Sequence, residues 1–273
     1  MNIFDQPKID THCHILDPVG FPYAPDVFYR PQGGETGSVD YFKQVMDVYG
    51  VKHALLVGPN SGYGLDNRCL LDAIAHGEGR FKGIAVVQNN ISFEELKRLQ
   101  GQGIVGVAFN VALYGLEYYA DIEPLLNKLK QLNMWAQFQV EGDLLPLIVP
   151  LIQKTQIRVL IDHCGRPILS NGIQQPGFES LLELGRSKQA IVKISGFAKF
   201  SEGYPFADAH AYIDALVEAF GIENCIWASD WPHLRSPYRL DYGPLIRWVE
   251  NKFTPSEQHQ LFWETPKRLF DFV

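Results

Sequence analysis

Lys8-Ile9-Asp10-Thr11-His12-Cys13-His14-Ile15 is an alternating run, and the way it is read decides the fold. In an extended strand successive side chains point to opposite faces, so Asp10, His12 and His14 share one side while Ile9, Thr11, Cys13 and Ile15 take the other. The segment is a strand with an apolar back and a front that carries two imidazoles. Seven further runs of β-branched and apolar residues follow: His53 to Pro59, Phe81 to Val87, Ile104 to Val111, Met134 to Val140, Ile157 to Cys164, Ala190 to Gly196 and Cys225 to Trp231. Helix-like stretches lie between them. Asp121 to Leu132 carries Ile122, Leu125, Leu126 and Leu129 at helical spacing, and Asp208 to Phe220 carries Ala211, Ile213, Leu216 and Val217. Strands separated by helices are parallel, and eight such units predict an α/β fold of the (β/α)8 TIM-barrel type, one domain over residues 1–273. A doubly wound sheet is the competing topology, but no Gly-x-Gly-x-x-Gly turn follows the first strand.

Length and composition agree with this. The 273 residues allow a large core, and 46% hydrophobic with 20% charged residues is ordinary for a soluble globular chain. A formal net charge of -7 argues against a general nucleic-acid surface, which needs clustered Lys and Arg. An anionic small molecule remains compatible, because a few cations in a cleft outweigh the global sign. No apolar run approaches the roughly 20 residues that span a bilayer, and the first residues, Met1 to Pro7, lack a basic region and an export core. The expectation is a cytoplasmic protein with no membrane partner. Cys13, Cys69, Cys164 and Cys225 are too scattered for a disulfide framework or a Cys-x-x-Cys site.

Two segments depart from the repeat. Leu16 to Ser38 holds Pro18, Pro22, Pro25, Pro31 and the pair Gly33-Gly34, which predicts a long ordered loop, a candidate lid. Thr265-Pro266-Lys267-Arg268-Leu269-Phe270 pairs a capping residue with a proline, which predicts a short helix starting at Thr265.

In a (β/α) barrel the reactive groups sit at the carboxyl ends of the strands. There the chain offers His12 and His14 on strand one, Asp162-His163-Cys164-Gly165-Arg166-Pro167 after strand six, Lys193, Ser195 and Lys199 around strand seven, and Ser229-Asp230-Trp231-Pro232-His233 after strand eight. Polar groups at the end of an apolar strand are costly unless they face a wet cleft or one another. Two imidazoles with a carboxylate are also a plausible zinc triad of the catalytic type.

Together with Val192-Lys193-Ile194-Ser195-Gly196 and the closing Thr265 to Phe270, these motifs resemble the amidohydrolase superfamily, most closely its branch of 2-pyrone-4,6-dicarboxylate lactonases and sugar lactonases. The resemblance implies a hydrolase that opens a lactone. Asp230 would be the general base, His163 would hydrogen-bond the substrate carbonyl, and His12 and His14 would assist or hold a metal. Metal-bound members usually add a carboxylated lysine or a histidine from the middle strands. Here strand four reads Ile104 to Asn110 and strand five Met134 to Gln139, without a strong ligand. The expectation is therefore that no cofactor is required; were one divalent metal to bind, zinc on His12, His14 and Asp230 is the expected set. A zinc-dependent decarboxylase is the alternative, though that branch places a histidine on strand five, where Gln137 and Gln139 stand.

Arg166 and Lys199 are expected to bind substrate, which favours an anionic lactone, with Arg30 and Arg235 as weaker candidates. Tyr29, Asn60, Ser61, Tyr63 and His233 lie on strand-end loops that would shape specificity. The pyrone dicarboxylate enzymes resemble Gly-Val-Arg-Phe-Asn at strand four, whereas this chain has Gly106-Val107-Ala108-Phe109-Asn110. With one carboxylate clamp missing, muconolactone-like and sugar-acid lactones become as plausible as the pyrone.

Overall fold

A computed structural model describes residues 2–273. Eight parallel strands follow one another in sheet order: β1 (Lys8–Cys13), β2 (Val51–Val57), β3 (Phe81–Ala85), β4 (Ile104–Asn110), β5 (Trp135–Gln139), β6 (Arg158–Ile161), β7 (Ala190–Ile194) and β8 (Cys225–Trp227). With the helices between them they make the expected (β/α)8 barrel fold. All eight predicted runs are strands, but β6 and β8 stop earlier than their apolar patterns suggest. The cause is local. His163, Cys164 and Arg166 after β6, and Asp230, His233 and Arg235 after β8, have φ between 46° and 65°. Left-handed backbone cannot continue a strand.

The chain packs into two compact units. The first takes the chain up to Val87 together with Arg98–Val105 and Trp227–Val273; the second holds Gln88–Lys97 and Gly106–Ile226.

In the first unit β2 pairs with β1 and with β3. A bridge from Cys13 to Trp231 brings the chain that leaves β8 alongside β1. Registry along β1 is irregular: Asp10 faces Ala54 and Cys13 faces Leu56, so three steps on one strand match two on the other. Such a bulge re-aims side chains at a strand end, so strict alternation does not run through the histidine motif. The helix Val39–Val48 starts at Ser38, whose hydroxyl accepts from Tyr41 N at 3.3 Å, and buries Phe42 and Met46 one turn apart. Phe42 stacks on Trp231 at 4.7 Å between centroids.

The expected terminal helix is present at Thr265–Phe270 with Leu269 and Phe270 buried, but Thr265 does not cap it. Thr265 has helical angles and lies inside a continuous helical run from Pro255 to Phe270. The true start is Thr254, where a capping box with Glu257 and a proline at the first turn satisfies the end amides. Pro266 is absorbed because the preceding turn, Gln260–Glu264, widens into a π turn. A proline without an N–H and with a bulky ring is accommodated by that loosened ladder.

In the second unit β4 to β7 pair in unbroken parallel register. The helix Glu123–Gln131 buries Leu125, Leu126 and Leu129, and His210–Phe220 buries Tyr212, Ile213 and Leu216. These are the apolar faces that the sequence periodicity marks. Cys13, Cys69, Cys164 and Cys225 are all buried and outside any disulfide, and burial pushes Cys164 up to about 12. Among the described residues no helix is long and apolar enough to cross a membrane.

Candidate active site

In the first unit the end of β1 and the turn after β8 are fastened by one carboxylate. Asp10, fully buried, accepts from Ser229 N at 3.0 Å and His12 N at 3.2 Å on Oδ1, and from Ser229 Oγ at 2.5 Å and Tyr242 Oη at 2.8 Å on Oδ2. Burial raises its pKa, and these four hydrogen bonds oppose that rise. The Ser229 hydroxyl also accepts from Trp231 N at 2.9 Å. Backbone bonds complete the clasp: Asp230 N donates to His12 O at 2.9 Å, and His14 N donates to Trp231 O at 2.8 Å. Asp230 is held in left-handed geometry, with φ of 60°. A non-glycine residue held there is a conformation that surrounding contacts must enforce, and such residues gather at working sites.

The clasp presents three groups together. Asp230 Oδ1 lies 3.6 Å from His14 Nε2 and 3.9 Å from His12 Nε2, with all three residues buried. His14 Nδ1 is 2.8 Å from Val57 O and must donate to it, since a carbonyl only accepts. A neutral His14 therefore turns its Nε2 lone pair towards Asp230, the tautomer that metal-ligating histidines also use. His12, His14 and Asp230 offer ligand atoms within 4.8 Å of one another, so this donor set fits one divalent ion. The structure brings His12, His14 and Asp230 together.

In the second unit β5, β6 and β7 carry a fully buried polar triangle. Lys193 Nζ is 3.1 Å from Asp162 Oδ1 and donates to Gln137 Oε1 at 2.6 Å, while Gln137 Nε2 donates to Asp162 Oδ2 at 3.0 Å. Lys193 is 0% exposed, Gln137 1% and Asp162 2%. One residue past Asp162, His163 Nδ1 sits 3.0 Å from Ser195 Oγ. Arg166 follows, half-buried; with the Gln139 amide oxygen turned towards it, its two terminal nitrogens donate at 3.0 and 3.1 Å.

The other predicted residues divide. Lys199 is half-buried at the end of a 3-10 turn after β7. His233 is half-buried, and its N–H donates to Asp230 O at 2.7 Å. Ser61 is buried in the turn Asn60–Tyr63, where the Tyr63 hydroxyl accepts from Asp17 N at 3.0 Å. The Tyr29 hydroxyl bonds Glu35, which raises its pKa, and the Arg235 guanidinium lies 5.5 Å from the Tyr29 ring centroid. Arg30 is exposed and donates to Pro25 O. Tyr29 and Arg30 are thus engaged in holding the Leu16 to Ser38 loop together. Asp10, Tyr242 and Gln137 are not marked as site residues by the sequence, whereas Ser195 is among the polar groups it places at the end of strand seven. The available signal was a charged residue inside an apolar strand, as in Ala190-Ile191-Val192-Lys193-Ile194, which burial forbids without a partner.

Known proteins bear on this arrangement. The amidohydrolase family model matches residues 9–272, and the chain belongs to that family. Its relatives include a 4-sulfomuconolactone hydrolase of Rhizobium radiobacter, 28% identical over 275 residues that cover 97% of this chain and 90% of that one. A 2-pyrone-4,6-dicarboxylate hydrolase of Comamonas testosteroni is 27% identical over 277 residues, covering 96% and 89%. Among solved structures, a probable 2-pyrone-4,6-dicarboxylic acid hydrolase from Acinetobacter baumannii with citric acid bound superposes with a TM-score of 0.86 at 29% identity, covering 97% of this chain and 99% of the other.

Proposed function

We propose that the chain hydrolyses the cyclic ester bond of a small anionic lactone. The observation that carries this reading is the buried Asp230 carboxylate, fixed in left-handed backbone with two imidazoles at 3.6 and 3.9 Å, in a chain whose relatives include a 4-sulfomuconolactone hydrolase and a 2-pyrone-4,6-dicarboxylate hydrolase.

In this reading Asp230 takes a proton from the attacking water as the new C–O bond forms. A carboxylate that accepts a proton in the first step can return it to the ring oxygen as that C–O bond breaks. His163 donates to the carbonyl oxygen, where negative charge builds in the tetrahedral intermediate. Removing one such donor typically costs 10² to 10³ in kcat. His163→Ala is expected to lose activity in that range with little change in KM, checked by steady-state kinetics. His12 assists His163 at the carbonyl oxygen, and His14, whose Nδ1 donates to Val57 O, offers Nε2 as an acceptor to the attacking water.

A divalent ion would be held by His12, His14 and Asp230, where it would lower the pKa of a bound water. We take it not to be required. Strands four and five add no histidine or carboxylate: Gln137 is committed to Lys193 and Asp162, and Gln139 lies against Arg166. Exhaustive dialysis against a chelator is expected to leave turnover unchanged, with metal content below one per chain. Activity lost on chelation and restored by zinc overturns this. The same commitment of Gln137 speaks against the decarboxylase alternative.

The substrate class rests on Arg166 and Lys199, with the citrate-bound relative as support for a polycarboxylate site. A guanidinium fork matches a carboxylate in two parallel hydrogen bonds. Purified protein incubated with pyrone-carboxylate, muconolactone-type, sugar-acid and neutral lactones is expected to open the acidic members, with release of one proton per ring. Arg166→Ala should cut kcat/KM for acidic lactones by about 10- to 100-fold, the equivalent of 1.4–2.7 kcal/mol, and leave neutral ones within a few-fold. Equal losses for both classes would remove the anion-binding role.

A further inference from the structure

Resting on the lactone-hydrolase reading, we propose that Ser195 and Gly196 are positioning residues that set the tautomer and place of the His163 ring, so that its proton resides on Nε2. Ser195 and His163 are each 1% exposed, and the hydroxyl lies 3.0 Å from Nδ1. Among the described residues that nitrogen is the single hydrogen-bond partner of the Ser195 hydroxyl. A hydroxyl can donate or accept, so two arrangements exist. If Nδ1 carried the proton and donated to Oγ, the hydroxyl hydrogen would be buried with no acceptor, a loss of about 1–3 kcal/mol. If Oγ donates to Nδ1, the hydroxyl is satisfied and the imidazole proton lies on Nε2. That is the nitrogen a substrate carbonyl needs as donor.

Gly196 supplies the place. It has φ of 67°, and a Cβ added to it would stand 2.4 Å from His163 Cγ and 2.5 Å from both Cβ and Nδ1. The ring is seated flush against backbone that only glycine leaves bare. Ser195 fixes which nitrogen is protonated, and Gly196 fixes where that nitrogen points.

The direct test is the tautomer itself, read without substrate. Protein labelled with ¹⁵N-histidine is examined by long-range ¹H–¹⁵N correlation, with the His163 signals assigned by their loss in His163→Gln. The expected pattern is a neutral ring protonated on Nε2. Ser195→Ala should convert it to a mixture of tautomers and lower kcat about 10- to 100-fold with KM little changed, the range seen when a group orienting a functional imidazole is removed. Ser195→Thr, which keeps a hydroxyl, should restore both the pattern and most of kcat. Gly196→Ala should lower kcat and shift the His163 signals while the fold persists by circular dichroism. A wild-type ring protonated on Nδ1, or a Ser195→Ala variant with unaltered signals, overturns the proposal. Failure of the parent reading is separate: no lactone is opened, yet the tautomer pattern is still measured.

Discussion

Asp230→Asn is expected to remain folded and to lose about three to four orders of magnitude in kcat on the lactone that the wild type opens, the upper range for removing a general base. The substitution changes one oxygen for an amide nitrogen. Asp230 is positioned by its backbone, through its N–H to His12 O and its carbonyl from His233 N, and both bonds survive the change. The left-handed φ also survives, because asparagine visits that region more readily than most residues. An unaltered melting profile beside a collapsed kcat would therefore isolate proton transfer from positioning. In free-energy terms the loss is about 4–5.5 kcal/mol of transition-state stabilisation. Retention of activity within tenfold would place the base elsewhere.

The second large effect concerns stability. Lys193→Met nearly conserves volume and removes the ammonium 3.1 Å from a buried Asp162 carboxylate. Breaking a buried pair from one side typically costs 3–5 kcal/mol, because the remaining charge has lost its compensation. Urea unfolding should show the midpoint fall with the slope preserved. The double variant Lys193→Met, Asp162→Asn should recover part of that loss, since no uncompensated charge then remains and Gln137 can bond an amide as it bonded the carboxylate. A single-variant loss below about 1 kcal/mol would show that the triangle is relaxed by water or by rearrangement rather than held as drawn. Activity is expected to fall too, because Asp162 adjoins His163.

How much of this was legible in the sequence differs by residue. The strands were, because eight apolar runs separated by amphipathic stretches have few other solutions. The nearness of Asp230, His12 and His14 was, since all three lie at or just beyond strand ends and strand ends meet on one face of this fold. Ser195 was visible as a polar group at the end of strand seven and Gln137 as a polar residue in an apolar run, but their partners lie 32 and 56 residues away. No local rule pairs them. Tyr242 gave no signal at all, being one aromatic position in a helix. The helix start was misplaced for another reason: Thr265-Pro266 has the local look of a beginning, and only the capping box at Thr254 and the widened turn after it show that the chain was already helical.

The Asp10 clasp has a consequence for how the chain is made. Its carboxylate is emerging from the ribosome while Ser229 and Tyr242, 219 and 232 residues downstream, have yet to be translated. At about 5–20 residues per second, that interval is roughly ten to forty-five seconds. Throughout it, Asp10 lacks these partners and the paired histidines have no Asp230 to face, so the nascent polypeptide carries a half-motif until residues 229–242 are made. The clasp thus forms only after Tyr242 has been made, and a chain truncated before Ser229 would be born without it.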